Sequence, residues 1–448
     1  MKLWDKGTEI NQLIETFTIG RDTEMDYFLA QFDVIGSLAH IKMLESIGLL
    51  TVSELKLLTD ELRAIYTEIK AGNFEIETGS EDVHSQIELM LTRKLGDTGK
   101  KIHSGRSRND QVLLDLKLFA RHEIKNIAEQ VFQLFEILMA QSEKYKEVLM
   151  PGYTHLQVAM PSSFGLWFGA YAESLTDDML LLQAAYRIAD QNPLGSAAGY
   201  GSSFPLNRQM TTELLGFEAM NYNVIYAQMG RGKVEKIIAF ALASIAGTLS
   251  KLAYDVCLFM SQNFNFVSLP DELTTGSSIM PHKKNPDVFE LLRSHCNRIQ
   301  SLPNQVLLMT NNLPSGYFRD LQLIKEQFVP SFSELGSCLS IACFAVSNLK
   351  INEKIMDDSR YENIYSVEEV NRMVVQGVPF REAYKRVGEL IANQNFHPDK
   401  TVRHTHEGSI GNLCLAQIRE KMDQIIESFN FRRADLAFEQ LLTGVSQL

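Results

Sequence analysis

A strong apolar pattern runs from Gln111 to Tyr145, a stretch that contains no glycine and no proline. Within it, apolar side chains recur at alternating steps of three and four residues, at Ile124, Ile127, Val131, Leu134 and Leu138. Steps of this size place side chains on one face of an α-helix, because the helix turns once in about 3.6 residues. The pattern therefore predicts a long helix with one buried face.

Similar patterns follow in four later segments, at roughly 163–192, 230–262, 286–312 and 320–348. Long helices with apolar faces pack against one another into a bundle. The sequence does not alternate apolar and polar residues over several strands, so it predicts an all-α fold. Before residue 108 and after residue 350 the helical patterns are shorter. We therefore expect three domains: a mostly helical one over 1–107, a central long-helix bundle over 108–350, and a small helical one over 351–448.

The net charge of the chain restricts the classes of molecule that it is expected to bind. The chain has 448 residues with a formal net charge of −12, and 45% of its residues are hydrophobic. Nucleic acids and anionic membranes attract basic surfaces, so an acidic chain argues against both as the main partner. A small anionic substrate remains compatible, because it needs only a local positive pocket.

Cysteine usage and the first residues indicate the compartment. The five cysteines are odd in number and include no Cys-x-x-Cys pair, which is typical of free thiols and not of disulfides or a zinc site. The opening Met-Lys-Leu-Trp-Asp-Lys-Gly contains no apolar signal segment. The uncharged run from Ile237 to Ser250 is too short to span a bilayer. These features predict a cytoplasmic protein.

The stretch 274–290 carries the densest candidate chemistry. Pro281 and Pro286 interrupt any helix there, and helical spacing resumes after Pro286, which predicts a loop that leads into a helix. Hydroxyl, ammonium and amide groups are available in it, at Ser277, Ser278, Lys283, Lys284 and Asn285. Such groups can activate a base and stabilise an oxyanion. A solvated surface loop has the same composition, so residue types alone leave both interpretations open.

A locally basic segment at 100–111 is a second candidate. Arg106 and Arg108 flank Ser107, and Asn109 follows. Arginine binds carboxylates through two parallel hydrogen bonds, and serine and asparagine add polar contacts, so the segment suits an anionic ligand. A basic approach to a helix without any ligand would have the same composition.

Three further groups of polar residues are candidates. Thr154 and His155 lie between two predicted long helices. His84 lies at the start of a predicted short helix, where a lone histidine is more often structural than catalytic. The third group lies near the start of the last long helix, and its last three members are spaced to share one face: Tyr317, Arg319, Gln322 and Lys325. Spacing alone does not separate binding from structural roles for these residues.

Taken together, these segments resemble the fumarase/aspartase superfamily. Residues 276–285, Gly-Ser-Ser-Ile-Met-Pro-His-Lys-Lys-Asn, match its Gly-Ser-Ser-x-Met-x-x-Lys-x-Asn motif. Two further segments are similar to the argininosuccinate lyase family in particular: His-Ser-Gly-Arg-Ser-Arg-Asn-Asp-Gln-Val at 103–112 and Gly-Tyr-Thr-His-Leu-Gln at 152–157. The chain departs from that family in three places: His282, where glutamine is usual, residues 158–161, and Arg319, where lysine is usual.

The resemblance implies a three-domain helical fold, a homotetramer with sites shared between subunits, and a reaction that needs no cofactor and no metal. It implies elimination of 2-(Nω-L-arginino)succinate to L-arginine and fumarate, in arginine biosynthesis. In that mechanism Ser277 would be the base, and Lys283 and Asn285 would hold the carbanion. His155, oriented by Glu290, would lie on the acid side.

The remaining candidates would bind the substrate. The resemblance implies contacts to the succinyl carboxylates from Thr154, Ser107 and Asn109. Contacts to the rest of the substrate would come from Tyr317, Arg319, Gln322 and Lys325. His84, Arg106 and Arg108 are further expected substrate-binding residues. Near residue 22 the family has a substrate-contacting serine, where either Asp22 or Thr23 stands in this chain.

The alternatives belong to different functional classes. Histidine at position 282 is commoner in adenylosuccinate lyases, whose substrate carries a phosphate. A non-catalytic relative, like the lens crystallins that share this fold, or a helical binding module would need no reacting groups, yet the candidate catalytic side chains are all present. Activity on each purified succinyl substrate separates these possibilities.

Overall fold

Local sequence chemistry determines where the N-terminal helices begin. The computed structural model of the chain describes residues 12–276 and 278–444. Thr51 caps the third helix with a capping box: its hydroxyl accepts from the Glu54 N–H at 3.2 Å, and its own N–H donates to the Glu54 carboxylate at 2.9 Å. The first helices are α1 (Gln12–Ile19), α2 (Asp22–Ser46), α3 (Val52–Lys70), α4 (Val83–Leu95) and α5 (Asp97–Lys100).

The central part of the chain holds the long helices of the predicted bundle. Its elements are, in order, α6 (Arg108–Lys144), β1 (Leu149–Thr154), β2 (Gln157–Ser163), α7 (Phe164–Ala189), β3 (Gln191–Asn192), α8 (Arg208–Leu214), β4 (Ala219–Met220), α9 (Val224–Met229) and α10 (Lys233–Phe259). They continue with β5 (Val267–Ser268), β6 (Thr275–Gly276), β7 (Lys284–Asn285), α11 (Asp287–Ile299), α12 (Leu302–Met309), α13 (Ile324–Ser347) and β8 (Lys350–Ile351).

The apolar face predicted on α6 is buried in the core. Ile124, Val131 and Leu134, three of its members, have no exposed surface. This face packs against α7 and α13, while α10 packs against α7 and α11. α2 also approaches α6 closely, at Gly36, where a Cβ atom would lie 2.6 Å from Cδ2 of Leu114. Glycine allows this close approach, because a larger residue would have to displace the Leu114 methyl group.

Two of the predicted long helices have different limits in the structure. The segment predicted as one helix over 286–312 is two helices, α11 and α12, because Pro303 lacks the N–H that would continue the first one. Proline is tolerated in a first turn, so α12 restarts beside it. The last long helix begins later than predicted, because residues Arg319–Leu323 form a 3₁₀ turn before α13.

The described strands are short and form four separate pairs. β1 and β2 make an antiparallel hairpin, and the other pairs have two residues in each strand: β3 with β4, β5 with β8, and β6 with β7. The hairpin was not predicted, since its strands do not alternate apolar and polar residues and each contains a proline, at Pro151 and Pro161. The predicted all-α class is confirmed at the level of the whole fold.

Part of the C-terminal region packs around a small hydrophobic core of its own. Helices α14 and α15 enclose a small core of Val370, Ala383, Val387 and Phe396. Helices α16 and α17 return to the main core, where Met422 and Leu441 are buried. The division at 107 and 350 stays a prediction. The helices of this part are α14 (Ser366–Val375), α15 (Phe380–Ala392), α16 (Leu415–Glu427) and α17 (Phe431–Thr443).

Three long helices begin at the same end of the bundle. Residues at the starts of α6, α10 and the segment before α13 line one cavity: Arg108, Arg231 and Arg319. Arg231 also donates to the Leu321 carbonyl oxygen at 2.9 Å. We call this the near end. α6 has 37 residues, so at about 1.5 Å per residue it ends roughly 55 Å away.

The opposite end, which we call the far end, lies where α6 and α13 finish. Gln141 of α6 reaches the Val346 carbonyl oxygen of α13 at 3.5 Å. The β1–β2 hairpin is anchored there, because the Tyr153 ring lies 5.2 Å from the Phe264 ring that follows α10. The loop that holds β6 and β7 follows the same segment.

Two stretches of the described chain are long and apolar enough to cross a membrane by length and composition. They are Lys233–Phe259 and Arg319–Ser347, and 50% and 56% of their apolar windows are buried inside the fold. Core helices pass the same test, so this finding by itself does not indicate a membrane protein.

Candidate active site

A cavity at the near end gathers most of the predicted binding residues. It has a volume of about 320 Å³ and lies between α2, α4, the start of α6 and the segment before α13. Of the two candidates near residue 22, Asp22 faces this cavity and Thr23 does not. Eight predicted residues line it: His84, Ser107, Arg108, Asn109, Tyr317, Arg319, Gln322 and Lys325.

The start of α6 gives the cavity a rigid wall. The Ser107 hydroxyl accepts from the Asn109 N–H at 3.3 Å, and the Ser107 N–H donates to the Asp110 carboxylate at 2.8 Å. The second oxygen of Asp110 accepts from the N–H groups of Gly195 and Ala197, at 3.0 and 2.8 Å. Burial raises the pKa of Asp110 to about 6. Asp110 therefore ties the helix start to a loop rich in small residues.

The arginines of the cavity are held by carboxylates of the same chain. Arg108 donates to Glu81 at 2.9 Å and forms an ion pair with Asp82. Burial opposes the charge of Arg108, but attraction to Asp82 and Glu81 outweighs burial and raises its pKa. Arg319 lies 3.3 Å from Glu81 and donates to the Thr18 carbonyl oxygen at 3.0 Å. These partners determine where both guanidinium groups point.

Lys325 is buried at the base of the cavity, with 3% of its surface exposed. It forms ion pairs with Asp22 at 2.5 Å and with Asp26 at 2.6 Å. Burial opposes its charge, yet attraction to Asp26 and Asp22 raises the pKa of Lys325. Burial also raises the pKa of Asp22. Beside this group, Gln322 donates to the Thr18 carbonyl oxygen at 3.1 Å.

Two predicted binding residues lie deeper. Arg106 is 8% exposed, donates to the Ser37 hydroxyl at 3.0 Å and does not line the cavity; burial lowers its pKa. The His84 ring lies in the cavity wall, with Nδ1 at 2.7 Å from Asp33 and 3.6 Å from Asp115. Burial lowers the pKa of His84, but attraction to Asp33 and its neighbours outweighs burial and raises it to about 9.

The ligand atoms of the buried trio His84, Asp33 and Asp115 lie within 4.8 Å of one another, a spacing that a metal ion could use. The shortest separation, 2.7 Å from Nδ1 of His84 to Oδ1 of Asp33, has the length of a hydrogen bond. A tetrahedral zinc ion with ligands at about 2.0–2.2 Å would hold two such atoms about 3.4 Å apart. The geometry is therefore that of a histidine–carboxylate ion pair.

The second group of predicted residues lies at the far end, on the β1–β2 hairpin. Thr154 and His155 are exposed at its tip. His155 and Leu156 are the two central residues of the turn, with positive φ angles of 55° and 57°. Turns of this kind are usually made by Asn-Gly, because positive φ is costly for residues with a Cβ atom. Backbone strain of this kind is common at functional sites.

The third group lies on the loop that holds β6 and β7. Ser277, the predicted base, is outside the described residues. Beside it Gly276 pairs with Lys284 across the short ladder, and the Lys283 N–H donates to the Met280 carbonyl oxygen at 3.0 Å. The other predicted residues of this group are exposed or half-buried: Lys283, Asn285 and Glu290.

One chain does not bring the near-end and far-end groups together. Among the described residues, no hydrogen bond or ion pair joins the predicted residues that line the cavity to Thr154, His155, Lys283, Asn285 or Glu290. His155 and Glu290, which the resemblance pairs, also share no such contact within the described chain. The length of α6 accounts for the separation between the two ends.

Comparisons with known proteins identify the family. A protein-family model described as lyase matches residues 8–301. The argininosuccinate lyase of Phocaeicola vulgatus is 66% identical over 441 residues, which cover 98% of this chain and 99% of that protein. That of Parabacteroides distasonis is 64% identical over 443 residues, which cover 99% of each. The chain belongs to the argininosuccinate lyase family.

A comparison with solved structures shows a similar fold. A variant of EDDS lyase with bound fumarate matches with a TM-score of 0.78 and covers 98% of this chain and 95% of its own. At 22% sequence identity this likeness shows the fold alone. The family's place in the fumarase/aspartase superfamily agrees with the resemblance in the 276–285 motif.

For this member of the argininosuccinate lyase family, sequence reasoning missed the carboxylates of the cavity and one of its cations. Asp26, Glu81 and Asp82 pair with predicted cations. Arg231 lines the cavity and pairs with Glu235 at 2.7 Å. A sequence motif identifies individual residues but not the residues with which they form ion pairs. The available signal for Arg231 was its place between two glycines at a predicted helix start.

Proposed function

We propose that this lyase cleaves argininosuccinate to L-arginine and fumarate in arginine biosynthesis, and that it acts in the cytoplasm as a homotetramer. The observation that carries the proposal is the near-end cavity, because the segment most similar to the family, 103–112, builds its wall. Cations on its walls, Arg108, Arg319 and Lys325, suit a substrate with several carboxylates. The carboxylates among them suit the guanidinium and ammonium groups of the arginine half.

The reaction is an elimination across a carbon–carbon bond. A base removes the proton from the carbon next to a carboxylate, and the pair of electrons forms the new double bond of fumarate. The bond to the guanidinium nitrogen of the neighbouring carbon breaks, and that nitrogen keeps its electron pair and takes a proton. The transient carbanion shares its charge with the carboxylate, so fixed positive groups and N–H donors supply the largest catalytic effect.

The far-end residues supply the reacting groups in this proposal. Ser277 is the base, and Lys283 together with backbone N–H groups of its loop stabilises the alkoxide that a serine base requires. Lys283 and Asn285 also hold the carbanion. His155, with Glu290, lies on the acid side, where the leaving nitrogen takes up a proton directly or through a bridging water. The strained turn that carries His155 supports a functional role for it.

The near-end residues hold the substrate. Ser107 and Asn109 bind the succinyl carboxylates together with Thr154 of another subunit. Arg106 is buried behind this wall, so it adds positive potential rather than a direct contact. The remaining parts of the substrate contact His84, Arg108, Tyr317, Arg319, Gln322 and Lys325.

Assembly is what brings the two groups together. Antiparallel packing of bundles places the near end of one chain beside the far end of another, and dihedral symmetry then gives four equivalent sites, each drawn from three subunits. Exposed apolar side chains on the long helices support such packing, since Leu180, Phe240 and Phe344 are 50% exposed or more. Leu181 and Leu307 line an open groove beside Phe240.

The test is to add purified argininosuccinate and to follow the absorbance of fumarate. We expect turnover with argininosuccinate and none with adenylosuccinate. Ser277→Ala is the matched inactive control. Turnover of adenylosuccinate alone would replace the proposed substrate, and inertness towards both would indicate a non-catalytic relative. Native mass measurement tests the tetramer independently of activity.

A further inference from the structure

A buried ion-pair group joins His84, in the wall of the near-end cavity, to Asp33 and Asp115 behind it, and these two carboxylates have no role in the proposed reaction. The His84 ring is 6% exposed and lies in the cavity wall. Its Nδ1 atom takes the bond to Asp33, so Nε2 is the ring nitrogen left for the cavity. Asp33 lies on α2 and Asp115 on α6, so two separate helices fix the orientation of the ring.

The two carboxylates are buried more deeply than the histidine. Their side chains are 2% and 1% exposed, and one oxygen of each, Oδ2 of Asp33 and Oδ2 of Asp115, has no hydrogen-bond partner in the described chain. Gln111 is the other neighbour of Asp33, at 3.5 Å. A buried carboxylate is costly unless a cation faces it. The imidazolium form of His84 is the cation in contact with Asp33.

Charged groups from the neighbouring elements surround the trio. Asp33, Asp82, Asp115 and His103 interact with the ring itself, whereas Asp26 acts on Asp115, Arg106 on Asp33 and Arg108 on Asp82. Burial opposes ionisation of Asp33, but attraction to His84 outweighs it and lowers the pKa of Asp33. Burial and the charge of Asp33 raise the pKa of Asp115 well above its ordinary value. The ring therefore pairs as an imidazolium with the ionised Asp33, while burial and the charge of Asp33 disfavour a second negative charge at Asp115.

We propose that Asp33 and Asp115 are positioning residues that hold the His84 ring as a fixed, charged N–H donor for a carboxylate of the substrate. The proposal rests on the proposed function of the site. A neutral imidazole can switch tautomers and present a lone pair to the substrate carboxylate, which would repel it. Four carboxylates already line the same cavity, at Asp22, Asp26, Glu81 and Asp82, so a donor that keeps its charge favours anion binding.

The test compares Asp33→Asn with the wild type at pH 6 and at pH 8.5. Asparagine keeps the shape and can still accept from the ring, but it removes the charge that holds the proton on His84. We expect KM for argininosuccinate to match the wild type at pH 6 and to rise roughly tenfold at pH 8.5, the effect of a fall of roughly one and a half units in the pKa of His84 from about 9. The kcat value changes little at either pH, because the ring binds and does not react.

Two further variants complete the experiment. Asp178→Asn changes a buried aspartate of α7 that accepts from Ser244 and Thr248, and we expect its KM to equal that of the wild type at both pH values. Asp115→Asn should shift the alkaline rise of KM less than Asp33→Asn, because Asp115 lies 3.6 Å from the ring nitrogen and Asp33 lies 2.7 Å from it. If Asp33→Asn fails to fold, this second shift still tests the proposal.

Calorimetric titration with fumarate provides a readout that needs no turnover. We expect fumarate to bind Asp33→Asn as tightly as the wild type at pH 6 and roughly tenfold more weakly at pH 8.5. A loss of affinity that is equal at both pH values would overturn the proposal, since it would indicate a packing defect. Binding that follows the expected pH pattern in a protein without activity on argininosuccinate would instead overturn the proposed function.

Discussion

The two ends of the bundle differ in how far their functional charged side chains are exposed to solvent. At the near end, the side chains of Lys325 and Asp26 are 4% and 2% exposed, and they form an ion pair inside the chain. At the far end, His155 and Lys283 are exposed and reach out from a turn and a loop. A single chain therefore folds the near-end cavity, while His155 and Lys283 lie on exposed segments at the far end.

This difference separates two physical tasks. Buried, paired charges are fixed in place, because moving one would leave its partner uncompensated at a cost of several kcal/mol. Exposed groups on a turn and a loop can meet a surface that the same chain does not supply. We infer that the near end contributes stability as well as binding, whereas the far end contributes chemistry.

The largest expected effect is at the far end. Ser277→Ala should lower kcat by on the order of a thousandfold or more, because it removes the proposed base, while the melting temperature and fumarate binding stay close to those of the wild type. Steady-state kinetics and thermal unfolding check this. Ser278→Ala is the matched control, since it removes the adjacent hydroxyl. A kcat within tenfold of the wild type for Ser277→Ala would contradict the assignment of the base.

The second prediction tests whether the ends meet between chains. Tetramers of His155→Ala and of Ser277→Ala should each be inactive. After dissociation and joint reassembly, roughly a quarter of the sites should receive both wild-type residues if each comes from a different subunit and the chains mix at random. Mixed tetramers verified by mass that stay as inactive as their parents would place both residues in one chain's site.

The third prediction contrasts the lysines of the two ends. Lys325→Met leaves Asp22 and Asp26 buried without their cation, so it should lower the free energy of unfolding by about 3–5 kcal/mol. Lys283→Met changes an exposed side chain, so it should alter stability by no more than about 0.5 kcal/mol, although both variants lose activity. Denaturant unfolding measures both. Equal stability of the two variants would remove the distinction between the ends.

The smallest expected effect concerns the turn of the β1–β2 hairpin. Leu156→Gly relieves the positive φ at an exposed position, so it should stabilise the fold by up to about 1 kcal/mol. Val158→Gly, in the neighbouring strand, is the control and should destabilise it, because glycine weakens a strand. Thermal unfolding of both variants decides. A loss of stability in Leu156→Gly would show that the Leu156 side chain matters more than the strain.

The helical fold was largely predictable, because it rests on a period that the sequence displays directly. The buried face of α6, from Ile124 to Leu138, follows from residue spacing alone. The hairpin was not predictable from spacing, since its strands contain Pro151 and Pro161 and do not alternate. The break before α12 had a visible cause in Pro303, but the helical pattern on both sides concealed it.

The candidate site was likewise only partly predictable from the sequence. Sequence segments predicted eight of the residues that line the near-end cavity, because each segment carries several polar groups in a short span. They did not predict the partners, since Lys325 pairs with Asp26 and His84 with Asp33 across long stretches of chain. Such pairs arise from the packing of helices and have no local signature. The role of Ser277 stays a prediction.

The unbroken length of α6 restricts how the chain can change during evolution. Its first residue forms part of the cavity wall, and its last turn leads into the hairpin that carries His155. Inserting or deleting one residue within it would rotate everything beyond that point by about 100° and shift it by about 1.5 Å. The length of α6 therefore fixes both the distance and the rotation between the cavity wall and the hairpin. Functional homologues should vary in sequence along α6 far more readily than in length.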